Sequence, residues 1–76
     1  MQYSATPLAN YANMRNDHSA SATLLHTCQS GQMAMGNDLW ESGAGEQWLH
    51  VKYWNHTAVD CWIAIKHEGT PISALS

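Results

Sequence analysis

The sequence contains no phenylalanine, two prolines, two cysteines and only three Lys or Arg residues among 76. Each shortage excludes something. A nucleic-acid surface needs clustered Lys and Arg to neutralise phosphates, and three scattered cations against six carboxylates form no cluster. A nucleic-acid partner is therefore not expected. No apolar run approaches the ~20 residues of a membrane-spanning helix. The opening "MQYSATPLAN" has no basic segment followed by an apolar one, so it does not read as a signal peptide. Only 12% of residues are charged, and the remaining polarity comes from Asn, Gln, Ser, Thr and His. That balance fits a secreted or cell-surface module better than a cytosolic one.

The two cysteines matter because the chain is short. A single domain of this size has a small core and commonly carries a staple. Cys28 and Cys61 allow one intramolecular connectivity, and closing that loop is worth roughly 3.5–4 kcal/mol in the chain-entropy model. A disulfide is the expected staple, with two reduced thiols as the alternative. An oxidised pair would place the protein outside the cytosol.

What is present is mainly alternation with a period of two. "QMAMG" (32–36), "WLHVKYW" (48–54) and "CWIAIK" (61–66) each read as a strand with one face on a core. "YANMR" (11–15) and "TLLHT" (23–27) are weaker runs of the same kind. "NDHSASA" (16–22), "SGQ" (30–32), "ESGAGEQ" (41–47) and "WNHTAVD" (54–60) read as the turns and loops between them. The expected core is Leu25, Met33, Met35, Leu49, Val51, Ile63 and Ile65, with Lys52 exposed. Residues 1–10 and 68–76 are expected as edge strands or loosely ordered arms around a body spanning 11–67. There is no internal repeat or domain boundary.

In order along the chain, "NMRND" (13–17), "LLHTCQSG" (24–31), "MAM" (33–35), "WLHV" (48–51) and "CWI" (61–63) resemble the pattern of bacterial SH3-like (SH3b) domains. The resemblance covers residues 11–67. It departs from the family at Cys61, which stands where a glycine usually precedes the final Trp-aliphatic pair. The loop 36–47 is also longer than usual. The resemblance implies an all-β, SH3-like antiparallel barrel of five or six short strands. It also implies a non-enzymatic secreted or surface binding module, whose ligand is cell-wall peptidoglycan or its peptides. A protein–protein interaction or inhibitor module, or an accessory domain of a cell-wall hydrolase, would use the same scaffold.

Four Trp and three Tyr are more large amphipathic rings than a small barrel can hide. Trp48, His50 and Trp54 alternate against Leu49 and Val51, which takes them off the core face. By the resemblance, Trp48 opens a groove rimmed by Asp17 and His18 on one side and Trp40 and Glu41 on the other. Trp54 is a further candidate contact. The alternative, favoured above all for Trp62, is that Trp48 and Trp62 cap the open ends of a barrel. An aromatic groove with few charges suits peptides or glycan faces.

Other chemistries fit less well. Asp60-Cys61 can open the nucleophile helix of a cysteine peptidase. Here it heads a strand, with too little chain following to supply a histidine base, so no catalytic residue is expected. The histidines at 18, 26, 50, 56 and 67 show neither helical i, i+4 spacing nor a His-x-His pair, so neither a metal nor any other cofactor is expected. Asn55-His56-Thr57 fits the N-glycosylation pattern, which is too short to carry an inference.

Overall fold

The computed structural model describes residues 2–76. Nine strands run in chain order: β1 (Tyr3–Pro7), β2 (Tyr11–Arg15), β3 (Leu24–Gln29), β4 (Ala34–Gly36) and β5 (Asp38–Glu41), then β6 (Gln47–Trp54), β7 (Thr57–His67), β8 (Thr70–Pro71) and β9 (Ser73–Leu75). All pairings are antiparallel, in the order β3-β2-β7-β6-β4-β1-β9, with β5 added to β6 and β8 to β7. The sheet curls into a half-barrel. No helix long and apolar enough to cross a membrane occurs among the described residues.

The frame is the β6–β7 hairpin. Trp54 pairs with Thr57, so Asn55 and His56 form a two-residue turn, with φ of 52° and 62°. Two positive φ values match a type I′ turn, whose twist suits the flanking strands. Residues 54–60 are therefore mostly strand, and the short loop expected over them is corrected to a two-residue turn. Its sequence signal was masked because His, not Gly, occupies the second turn position. The next connection repeats the device, with Glu68 at φ 50° and Gly69 at φ 80° between His67 and Thr70.

One edge of β6 carries two strands in succession, β5 along residues 47–50 and β4 along 53–54. Gly36 lies where the chain passes between them. A Cβ there would collide with the His50 backbone carbonyl, so only glycine fits. Both terminal segments join the sheet: β1 pairs with β4 and β9, and Ser4 and Ser76 exchange backbone hydrogen bonds of 2.9 Å in each direction. Nine strands replace the five or six expected.

The core is built on Met14, Leu49, Val51, Ile63 and Ile65, filled out by Ala5, Ala12, Ala34, Cys28 and Cys61. Three expected core residues are not there. Leu25 is 44% exposed, because the β2–β3 register shifts between Met14 and Arg15 and passes over it. Met33 is 50% exposed and Met35 only partly buried. Ala34 and Gly36 turn inward instead, a one-residue inversion of the alternation.

The disulfide is also corrected: Cys28 and Cys61 are free, buried thiols. The register supplies a reason: β2 separates β3 from β7, so the two are not cross-strand partners, Cys28 pairing with Ala12 and Cys61 with Val51.

Candidate functional site

The register places a second set of side chains on the sheet face opposite the core. Arg15 lies across from Trp62, Trp62 from His50 and His50 from Asp38. In the neighbouring row Ala64 lies across from Trp48 and Trp48 from Trp40. The loop 16–23 folds over this face and is braced by its own bonds. Asn16 N donates to Thr23 O at 2.9 Å, and Thr23 N to Asn16 Oδ1 at 3.1 Å. His18 N donates to Asp17 Oδ1 at 2.8 Å, and Arg15 Nη1 to Ala22 O at 3.0 Å.

That bracing inserts His18 between two tryptophans. Its ring stacks on Trp40, with centroids 3.9 Å apart and planes 16° from parallel, and meets Trp62 edge-on at 5.0 Å. The far side of the cluster is His50, stacked on Trp62 at 4.4 Å and 6°. Asp60 Oδ1 accepts from His50 Nε2 at 2.6 Å and lies 3.4 Å from Lys52 Nζ. The hydrogen bond from His50, and then the Lys52 ammonium, hold the Asp60 carboxyl below its ordinary range. The result is a row of four rings, Trp40–His18–Trp62–His50, with carboxylates at Asp17 and Asp60. The imidazoles are 31% (His18) and 21% (His50) exposed, and Trp40 and Trp62 are half-buried.

Asp17, His18 and Trp40 therefore come together, while the other residues singled out in the sequence lie elsewhere. Glu41 is exposed and accepts from Gln47 Nε2 at 2.8 Å, bracing β5 to β6. Trp54 leans on the core beside the Cys28 thiol and the His26 ring, and its indole N–H has no oxygen or nitrogen partner. Trp48 is corrected most sharply. It does lie off the main core, yet it is only 2% exposed.

A second layer covers Trp48. Its Nε1 donates to Glu46 Oε1 at 3.0 Å. The same carboxylate receives Glu68 N at 2.7 Å and lies 2.8 Å from His67 Nδ1. These partners, with the Glu68 backbone N–H first, pull the Glu46 pKa down to about 2. Gly45 permits the arrangement, since a Cβ there would stand 2.7 Å from Gly69 N.

Trp62, His50 and Asp60 were not assigned to the groove from sequence. Their shared off-core parity with Trp48 was the available signal. Burial pushes the Cys61 thiol up to about 11, with the Asp60 carboxylate adding to the effect. Neither the exposure nor the thiolate a nucleophile needs is present. Among the described residues, no three His, Cys, Asp or Glu side chains converge as a metal site requires. Compared with models of known families, with curated proteins and with solved structures, the chain matches none.

Proposed function

We propose that this domain is a non-enzymatic, secreted or surface binding module that takes cell-wall peptide or glycan across the row Trp40–His18–Trp62–His50. The observation that supports this reading is the row itself: partly exposed rings held in place by a braced loop and by Asp60. Indole faces offer flat apolar surface to sugar rings or peptide backbone, and the imidazoles and carboxylates offer hydrogen bonds at its margin. The ordered motifs that resemble SH3b domains supply the ligand class. Little ordering is needed on binding, because the rings are already stacked.

The test pairs binding to purified peptidoglycan with thermal unfolding. Trp62→Ala and Trp40→Ala each remove an aromatic anchor of the kind that contributes ~2 kcal/mol, so affinity is expected to fall about thirtyfold. Melting temperature should change little for Trp40→Ala, whose strand lies at an edge of β6. Normal binding by both variants places the ligand elsewhere. Failure of the parent protein to bind peptidoglycan, with capture of another protein on the same residues, favours the interaction-module reading.

A further inference from the structure

A cavity of about 370 Å³ opens at Ala20 of loop 16–23, and none of the four rings of the row lines it. Ala9, Ala12, Ala20, Ala64 and Ile72 line it with Trp48 and Tyr11, so most of the lining is apolar. The His67 imidazole also lines it and is held by Glu46 at 2.8 Å. Arg15 and Asn13 stand on the same lining. Arg15 is one of only three cations in a chain with six carboxylates, yet among the described residues no carboxylate lies within ion-pair distance of it. One of its five N–H donors is bonded, to Ala22 O, and that bond fixes the guanidinium beside the cavity. The Glu46 carboxylate behind Trp48 is already occupied by the Trp48 indole, His67 and the Glu68 backbone.

We propose that this cavity binds a carboxylate carried on a small apolar body, with the apolar part over Trp48 and the carboxylate on Arg15. Charge complementarity selects the occupant. An unpaired guanidinium presents a fork that matches a carboxylate, and the carbon-lined walls accept a branched aliphatic group better than a sugar or a phosphate. The chemistry is shared by two sources, the free C-terminus of a peptide and a free aliphatic acid. The site adjoins the ring row, since Arg15 pairs with Trp62 and Trp48 with Trp40, but shares no lining residue with it, and the proposal does not depend on the function proposed for that row.

The probes are N-acetyl-leucine, N-acetyl-leucinamide and 4-methylpentanoate, titrated into the whole chain and followed by ¹⁵N–¹H spectra. Both carboxylates are expected to shift the Trp48 indole and the amides of Ala12 and Ala64. The amide, which keeps the shape without the charge, should bind at least about tenfold more weakly. Arg15→Gln should reproduce that loss. Ala20→Leu, at an exposed loop position, should block the cavity without touching the core. Tighter binding of N-acetyl-leucine than of 4-methylpentanoate identifies a peptide C-terminus, and equal binding identifies a free acid. Equal affinity for acid and amide in the parent protein overturns the proposal, as do shifts confined to Trp40 and Trp62. The acid–amide comparison needs no variant, so it holds even if Arg15→Gln loosens the loop.

Discussion

Glu46 ties three parts of the chain together through one carboxylate: Trp48 on β6, His67 at the end of β7 and the Glu68 turn. A carboxyl at about pKa 2, against an ordinary 4.5, contributes stability that is complete above pH 4.5 and lost as pH falls through 2. Asp60, also lowered, acts in the same direction. Acid titration of the melting temperature should therefore show a smaller loss between pH 4.5 and pH 2 for Glu46→Gln than for the parent. An unchanged acid limb would show that the three bonds do not act together. The same node explains what could be read of Trp48. Alternation against Leu49 placed it off the core, and that parity was sound. Sequence periodicity describes one sheet and says nothing of a distant turn folding back over it. Trp48→Ala should accordingly cost about 3–5 kcal/mol, a core-like loss. The cysteines give a further residue-scale test. With both thiols buried and raised in pKa, iodoacetamide at pH 8 should leave the native protein unlabelled. It should label two sites per chain on unfolding without any reductant. Labelling of neither site in the unfolded chain would restore the disulfide.

At the scale of elements, β6 and β7 were legible because Leu49, Val51, Ile63 and Ile65 alternate on both strands of one hairpin. Their ends were not, because the turn between them uses Asn-His where the familiar signal is Asn-Gly. His56 at φ 62° occupies a conformation that disfavours a side chain. His56→Gly should therefore stabilise the hairpin by about 0.5–1 kcal/mol in chemical denaturation, since relief of strain outweighs glycine's added unfolded-state freedom. No gain would mean that His56 makes a compensating contact. Gly36 carries the opposite sign. It is the crossing point of β4 and β5 against β6, and Gly36→Ala should cost about 2–3 kcal/mol by forcing these strands apart. The inversion at Met33 and Met35 belongs to the same place. Once Gly36 must press against β6, its neighbours two residues apart share its inward face, so Ala34 is buried and the methionines turn out. The sequence shows the alternation of "QMAMG" but not which face the crossing selects.

The whole molecule is a curled sheet that does not close, and that has consequences at its margins. The hydrogen-bonded path ends at β3 on one side and β9 on the other. β9 is short and its backbone is extended by the Ser4–Ser76 pair. β3 is different: six residues, LLHTCQ, without a Lys, Glu, Asp or Pro, and with Leu24 and Leu25 exposed. Proteins commonly blunt such an edge with charge or proline, because unpaired backbone groups beside apolar side chains template pairing with another chain. Closure into a full barrel would have removed the edge, and the barrel expected from sequence carried no such liability. The half-barrel keeps it, with no covalent link from β3 to the rest of the sheet. Association through β3 should therefore appear as protein concentration rises, visible as a growing sedimentation coefficient. Leu25→Lys puts a charge on the edge at a residue that the β2 register skips. It should suppress the growth while changing stability by less than about 0.5 kcal/mol. If the variant associates as the parent does, β3 is not the contact. Loss of stability instead would mean that Leu25 supports the fold from outside the core.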